Sequence, residues 1–207
     1  MRTAIIDYGM GNLQSVANAF EAIGHEARIV RRPGGLDDAG GIVLPGVGAF
    51  GEGMKNLRQA GWDEGLTRAV REQGKPFLGL CLGMQLIATT GTEHGTHEGL
   101  NWISGVVVRI PPGDPAIRVP HIGWNDVRVA RDTGLYAGLE PARCCFYFVH
   151  AFVLRPERPD VVSGTCEYGI RFAASIEHEN VWATQYHPEK SQKAGLTVLK
   201  NFVRQVA

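Results

Sequence analysis

The sequence predicts an α/β fold, in which a mostly parallel central sheet is flanked by helices and extended by antiparallel strands. In the first half of the chain, short apolar and β-branched runs alternate with amphipathic stretches of helical period. In the second half, such runs follow one another with only turns between them, which favours antiparallel pairing. With 207 residues, 44% of them hydrophobic, we expect one domain over residues 1–207 with a sizeable core.

The first half contains the predicted helices that cross between parallel strands. Asn12–Ile23 carries apolar residues at helical spacing, and Gly24 is a stop signal. Two short helices are predicted between Phe50 and Glu72, and another over Leu82–Ala88. The strands predicted in this half are Thr3–Asp7, Ala27–Val30, Gly41–Leu44 and Phe77–Leu80.

The second half contains strands and one closing helix. Ser191 is the predicted N-cap of this helix, and apolar residues between Leu196 and Val206 form its buried stripe. The strands predicted here are Trp102–Ile110, Asp126–Ala130, Cys145–Val153, Arg171–Ile176 and Val181–Gln185.

Composition excludes several classes of partner. Lys+Arg and Asp+Glu are both 21, so the chain has no basic excess with which to bind nucleic acid. No apolar run approaches the roughly 20 residues of a membrane span, and the first residues lack the apolar stretch of a secretory signal. The four cysteines form no CxxC pair, which argues against a zinc ribbon or a thioredoxin-type site and for free thiols in a reducing cytoplasm.

The segment Gly79-Leu80-Cys81-Leu82-Gly83 has the form of a nucleophile elbow, with Cys where hydrolases often carry Ser. Small residues on both sides allow a tight strand-to-helix turn, and the start of the helix favours a thiolate. The Leu82 N–H is then a natural donor to an oxyanion. A buried apolar Cys at the end of a core strand is the alternative.

Tyr186-His187-Pro188-Glu189 supplies the groups that the Cys81 nucleophile needs. His187 and Glu189 are two residues apart at a strand end, so both side chains can face one cleft. His187 would shuttle the proton and Glu189 would orient the imidazole. A solvated surface His beside a Glu is the alternative, which the presence of Cys81 disfavours.

A glycine-rich segment, Pro45–Gly51, follows the strand Gly41–Leu44 and offers a second oxyanion donor. Its glycines can free a backbone N–H, at Val47 or Gly48, to point into the site. The segment also matches G-x-G-x-x-G, but Pro45 precedes the first Gly and no acidic strand end follows at the right distance. We therefore disfavour dinucleotide binding and expect no cofactor.

Taken together, these motifs resemble the class I glutamine amidotransferases over nearly the whole chain. Four further segments resemble, within that class, the glutaminase subunits of imidazole glycerol phosphate synthase. The resemblance implies the flavodoxin-like amidotransferase fold and hydrolysis of glutamine through a Cys81 thioester, without a cofactor or metal. The four segments are Ile6-Asp7-Tyr8-Gly9-Met10-Gly11-Asn12-Leu13, Pro120-His121-Ile122-Gly123-Trp124-Asn125, Phe146-Tyr147-Phe148-Val149-His150 and Tyr186-His187-Pro188-Glu189-Lys190-Ser191.

The resemblance also implies how glutamine is held. Gln85 and Glu93 match positions that bind the head group, and a carboxylate at Glu93 suits an α-ammonium. His150 and Ala151 match a further substrate segment, although Ala151-Phe152 replaces the hydroxyl-bearing residues usual there. Backbone groups of this segment would then hold glutamine in place of the missing hydroxyl groups. Without the resemblance, Gln85 would be read as a helix-surface residue.

A partner is implied as well, because ammonia near neutral pH is mostly ammonium, which is not a nucleophile. The family delivers ammonia to a cyclase subunit with a (βα)8 barrel in histidine biosynthesis. The residues expected to dock on this subunit are Asn12, His121, Trp124 and Lys190. Trp124 suits an interface, although a core position is an equal alternative.

Three other interpretations remain open at the level of sequence. The chain could serve a different amidotransferase, although the His121–Asn125 segment argues against this. It could be a cysteine peptidase, which would act alone. It could also be a catalytically silent regulatory subunit of the same fold, which the intact Cys81, His187 and Glu189 disfavour.

Overall fold

The computed structural model describes residues 2–111, 117–130, 134–140 and 144–206. A nine-stranded sheet runs through the molecule in the order β2-β1-β3-β4-β13-β12-β11-β8-β9. The first five of these strands are parallel, and the last four add antiparallel pairs. This confirms the predicted fold class, and the parallel part has the flavodoxin-like order.

Most parallel strands coincide with the predicted ones to within one or two residues. The strands of the large sheet are β1 Arg2–Ile6, β2 Ala27–Val30, β3 Ala39–Leu44, β4 Phe77–Leu80, β8 His121–Val129, β9 Cys145–His150, β11 Val162–Tyr168, β12 Ile170–His178 and β13 Val181–Thr184. The α-helices are α1 Leu13–Ala22, α2 Phe50–Gln59, α3 Trp62–Thr67, α4 Leu82–Leu86 and α5 Gln192–Val203. A π-helical turn, Arg68–Glu72, continues α3.

The core lies on both faces of the parallel strands. Along β1, Ala4 and Ile6 pack on one face and Ile5 packs on the other. The first face is covered by α2, α3 and α4, and the second by α1 and α5. Burial on both sides explains why these strands appear in the sequence as unbroken apolar runs.

The residues predicted to mark helix ends stand at the ends of both α1 and α5. The Asn12 side chain accepts a hydrogen bond from Ser15 N at 3.2 Å, and Gly24 adopts a φ of +76° after the last turn. Ser191 does stand at the N-cap of α5, but its hydroxyl makes no capping bond. It donates instead to His187 O and accepts from Tyr147 N.

A second sheet is the main feature that the sequence did not predict. Its order is β10-β7-β5-β6. The predicted helix over Leu82–Ala88 was therefore too long, since α4 ends at Leu86 and Ala88 begins a strand. The helix stops there because Ile87 O and Ala88 O accept backbone bonds from residues 101–103. The strands of this sheet are β5 Ala88–Gly91, β6 His97–Glu98, β7 Ile103–Arg109 and β10 Phe152–Pro156.

The predicted single strand Cys145–Val153 is two strands in different sheets. The chain turns at Ala151, between β9 in the large sheet and β10 in the small one. The Ala151 carbonyl accepts from Ile110 N at 2.9 Å, and the His150 ring bonds Phe152 O at 3.0 Å, which holds the corner. The strands β8 and β12 are also longer than predicted, and β11 was missed.

The loops that follow β1, β3, β4 and β13 converge at one edge of the sheet, because the carboxyl ends of parallel strands meet there. These loops carry Tyr8, Pro45–Gly48, Cys81 and His187. Within the described part of the chain, no helix is long and apolar enough to cross a membrane.

Candidate active site

Cys81 stands alone between β4 and α4, in a strained backbone conformation. Its φ is +53° and its ψ is −104°, a region that non-glycine residues rarely adopt. The Cys81 N–H donates to Thr184 O of the neighbouring strand at 2.8 Å, which anchors the turn. The predicted elbow is therefore present, with the thiol almost buried at 6% exposure.

Both glycines of the elbow are required by close packing. A Cβ on Gly79 would lie 2.7 Å from Gly83 O, and a Cβ on Gly83 would lie 1.9 Å from Leu44 O. Both neighbours are backbone atoms, which cannot swing aside as a side chain can. The glycines thus let α4 start directly against β3 and β4.

His187 and Glu189 are paired as the sequence predicts. His187 Nδ1 lies 2.8 Å from Glu189 Oε1, and the two side chains are only 5% and 3% exposed. The His187 N–H donates to Tyr147 O at 2.9 Å, so the antiparallel extension holds the segment in place. His187 Nε2 is buried and has no hydrogen-bond partner among the described residues, which leaves it available for proton transfer.

The pKa of His187 is raised from 6.5 to about 10. Burial alone would lower it, but the neighbouring Cys81 and the Glu189 carboxylate together outweigh burial by favouring the charged ring. The imidazole therefore holds its second proton across the neutral range. A group in that state can protonate a departing amine.

Gln185 is a site residue that sequence reasoning missed. It is fully buried, and its Nε2 lies 3.7 Å from Cys81 Sγ. Its Oε1 accepts from Gln85 Nε2 at 3.1 Å. Its position could have indicated this role, because Gln185 lies two residues before His187 at the end of β13. Alternate residues of an extended chain point to the same face.

The orientation of the Gly46–Val47 peptide determines whether the expected oxyanion hole is formed. The Leu82 N–H donates to Gly46 O at 3.4 Å. Since this peptide is trans, its Val47 N–H points the opposite way, away from the space in front of Leu82. In this structure Leu82 and Val47, two of the three predicted donors, therefore do not face one oxyanion together. Gly48, with a φ of +107°, lies next to this peptide.

A cavity of about 210 Å³ lies in front of Cys81 and brings all four predicted substrate residues together. The side-chain amide of Gln85 donates hydrogen bonds to Gln185 Oε1 and Phe152 O, so Gln85 Oε1 can accept a hydrogen bond from a ligand. Glu93 Oε2 accepts a hydrogen bond from Phe50 N at 2.9 Å, which leaves Glu93 Oε1 to accept one from a ligand. The lining consists of Val47, Gly48, Cys81, Leu82, Gln85, Glu93, Val149, His150, Ala151 and Phe152.

His150 lines this cavity, but both of its ring nitrogens are already engaged. Nε2 lies 3.0 Å from His121 Nδ1, and Nδ1 lies 3.0 Å from Phe152 O. His121 Nε2 in turn lies 3.3 Å from the Asn125 amide nitrogen. This chain of contacts defines one tautomer for each ring, with both rings neutral.

His121 is not a surface residue, so its predicted role in docking needs correction. It is 2% exposed and stacks between Phe148 and Tyr168. His121 alternates with exposed residues along β8 and faces the core side of the hairpin. Its contact with His150 makes it a support for the cavity wall.

The neutral pair His121 and His150 should make the protein lose stability in acid. Burial lowers the pKa of His121 to about 4 and that of His150 to about 3, against about 6.5 in the unfolded chain. The unfolded state binds protons more strongly, so stability is full above pH 6.5 and falls as the pH drops towards 4 and 3. Urea unfolding at pH 7 and pH 5 should differ by up to about 2 kcal/mol per histidine.

His121→Asn should reduce this pH dependence, measured as the difference between the two unfolding free energies. The exposed His94 provides a control, because Asn tolerates its φ of +56°. An unchanged pH dependence in His121→Asn would contradict the assignment of neutral buried rings.

The other predicted docking residues lie at the surface. Trp124 is 48% exposed, so the alternative of a core position is wrong. It packs edge-on against Tyr147, and Lys190 Nζ lies 5.8 Å from the centre of the same ring. Asn12 is exposed while it caps α1. Among the described residues, no group of three His, Cys, Asp or Glu side chains could hold a metal ion.

Comparison with known proteins agrees with this geometry. The family model for "Glutamine amidotransferase class-I" matches residues 4–206. The chain is 47% identical over 205 residues to imidazole glycerol phosphate synthase subunit HisH of Geobacter sulfurreducens, covering 97% of each chain. It is 48% identical over 199 residues to the HisH subunit of Moorella thermoacetica, covering 96% of this chain and 92% of that protein. The chain belongs to the class I glutamine amidotransferases, among the HisH subunits.

Solved structures show that the class I amidotransferase fold extends over the whole chain. The structure of PurLQS from Thermotoga maritima aligns with a TM-score of 0.77 at 19% identity, covering 100% of this chain and 99% of that chain. The glutaminase domain of CTPS from Trypanosoma brucei, with bound acivicin, aligns with a TM-score of 0.65 at 16% identity, covering 100% and 93%. At these identities the likeness concerns the fold alone.

Proposed function

We propose that this chain hydrolyses glutamine to glutamate and ammonia, and passes the ammonia to the cyclase subunit of imidazole glycerol phosphate synthase in histidine biosynthesis. The observation that carries the proposal is the buried His187–Glu189 pair beside the strained Cys81, at the rim of a cavity lined by Gln85 and Glu93. The four cysteines carry thiols rather than disulfides, which suits a reducing cytoplasm.

In the first half-reaction, Cys81 Sγ attacks the side-chain amide carbon of glutamine as the thiolate. The proton held by His187 goes to the nitrogen, the carbon–nitrogen bond breaks, and ammonia leaves behind a γ-glutamyl thioester. The pKa of about 10 keeps His187 protonated for this step. Glu189 holds Nδ1, so that Nε2 faces the reaction.

In the second half-reaction, water attacks the thioester. His187, now neutral, takes a proton from the water, and the carbonyl carbon–sulfur bond breaks to release glutamate. The Cys81 thiolate and the protonated imidazole are then restored, and the new γ-carboxyl group of glutamate gives its proton to solvent. Gln185 Nε2 lies near Sγ and can donate a weak hydrogen bond to the sulfur when it is negatively charged.

The cavity supplies acceptors for the glutamine head group. The α-ammonium needs acceptors, which Glu93 Oε1 and Gln85 Oε1 provide, since each retains one free oxygen. Ala151 offers its backbone at the cavity wall in place of a hydroxyl. His150 shapes the wall through its ring rather than by a free nitrogen.

Because the Val47 N–H points away from Leu82, we expect the isolated chain to hydrolyse glutamine slowly. Each half-reaction passes through an oxyanion, and one donor of a two-donor hole is worth about 10²–10³ in rate. Docking of the cyclase would favour the orientation in which Val47 N–H joins Leu82 N–H. Val47 is exposed, so a docked subunit can reach it.

The surface around Trp124 is the proposed docking face. Val149 lines the cavity, and Ile122 lies opposite it in the β8–β9 register with 60% exposure. The exposed apolar surface therefore continues from the cavity rim to Trp124, Tyr147 and Lys190. An apolar centre with aromatic residues is typical of a subunit interface.

Glutamate release, measured with and without the cognate cyclase and its ligand, tests this proposal. We expect at least tenfold stimulation. Trp124→Ala should raise the cyclase concentration needed for half-maximal stimulation about tenfold or more. Gln73→Ala, exposed at the opposite edge of the sheet, should match wild type. Equal rates with and without cyclase would contradict the proposal.

A further inference from the structure

Tyr8 has a buried hydroxyl group without a partner. The residue follows β1 and is 5% exposed, and its hydroxyl oxygen makes no hydrogen bond in the part of the chain that the structure describes. Buried hydroxyl groups are nearly always hydrogen-bonded, and the exceptions concentrate where a group has a function. The two other tyrosines among the largest buried side chains, Tyr136 and Tyr186, do have partners.

The Tyr8 hydroxyl lies at the hinge of the glycine-rich loop. A Cβ built on Gly46 would lie 2.2 Å from the Tyr8 oxygen and 2.9 Å from Leu82 Cβ. Burial raises the pKa of Tyr8, and the nearby Cys81 raises it further. The hydroxyl therefore keeps its proton and stands beside Gly46, close to the nucleophile.

The Gly46 carbonyl would lose its partner when the oxyanion hole forms. It accepts from Leu82 N at 3.4 Å in the present orientation. Rotation of the Gly46–Val47 peptide turns the carbonyl away from Leu82 as it turns Val47 N–H inward. Gly46 is buried, so its carbonyl then needs another donor.

We propose that the Tyr8 hydroxyl donates a hydrogen bond to the Gly46 carbonyl in the rotated state, and so stabilises the formed oxyanion hole. Tyr8 acts through the peptide and is a positioning residue. This inference rests on the proposed function, because it concerns the same oxyanion. It explains why the hydroxyl is unpaired in the resting arrangement seen here.

Tyr8→Phe removes the hydroxyl alone and tests the proposal in the complex with the cyclase. We expect kcat for glutamine hydrolysis to fall about tenfold, equivalent to about 1.4 kcal/mol, with KM unchanged. Thermal stability should stay the same or rise, because the resting state loses an unsatisfied group. Alkylation of Cys81 by iodoacetamide, which needs no oxyanion hole, should proceed at the wild-type rate.

Tyr136→Phe is the matched control. Its hydroxyl is buried but bonded to Ser175 and Tyr186, so its loss should lower the melting temperature and leave kcat unchanged. Wild-type kcat in Tyr8→Phe would overturn the proposal. A lower kcat with lower stability and slower alkylation would also overturn it, since that pattern indicates a structural role. If wild type itself failed to hydrolyse glutamine in the complex, the proposed function would fail instead.

Discussion

Cys81→Ala should abolish glutamine hydrolysis in the complex, with a loss of about 10⁴-fold or more in kcat. The thioester cannot form without the sulfur, and no other described thiol lines the cavity. Folding should be nearly unaffected, because the contacts of Sγ with Gln185 Nε2 and Val149 O are long, at 3.7 Å and 3.8 Å. Glutamate release and urea unfolding measure the two effects.

Cys166→Ala serves as the control for this variant. Its thiol is buried and does not line the cavity, and burial raises its pKa to about 12, so it should be unreactive. A glutamine-analogue electrophile should therefore label wild type and Cys166→Ala once each, at Cys81. Substantial residual ammonia release from Cys81→Ala would refute the thioester mechanism.

Gly83→Ala should cause the second large effect, on stability as well as on activity. The new Cβ would lie 1.9 Å from Leu44 O, a backbone atom of β3 that cannot move without disturbing the sheet. We expect a loss of about 3 kcal/mol or more in the free energy of unfolding. Activity should fall further than stability accounts for, because displacement of α4 moves Leu82 N–H and Cys81 together.

Substitutions of two other glycines provide a comparison for Gly83→Ala. Gly34→Ala has open space around its Cβ and should stay within about 0.5 kcal/mol of wild type. Gly79→Ala should be intermediate, since its nearest contact is at 2.7 Å. Wild-type stability and kcat in Gly83→Ala would show that the elbow tolerates a side chain, contrary to the close packing described here.

The parallel part of the fold was predictable because its strands are buried on both faces. Apolar runs such as Gly41–Leu44 and Phe77–Leu80 have no polar alternation and stand between helical periods. The small sheet escaped prediction for the opposite reason. Its strands β5 and β6 are short, and their pairing depends on residues far away along the chain. A local pattern carries little information on such pairing.

The corner at Ala151 shows the same limit at a single residue. No glycine or proline marks it, and the run from Cys145 to Val153 is continuously strand-like. The turn is held by the contact of His150 with Phe152 O and by that of Ile110 N with Ala151 O. The first contact depends on the His150 ring, whose other nitrogen contacts His121, 29 residues earlier in the chain.

The sequence by itself determined the fold class and the candidate triad of Cys81, His187 and Glu189, because spacing within short segments constrains both. Only the tertiary structure decided which neighbours those residues have. It buried His121, added Gln185 beside the thiol, left the Tyr8 hydroxyl unpaired and turned the Val47 N–H away from Leu82. The physical reason is that burial, hydrogen-bond pairing and peptide orientation depend on groups brought together from separate loops at one edge of the sheet.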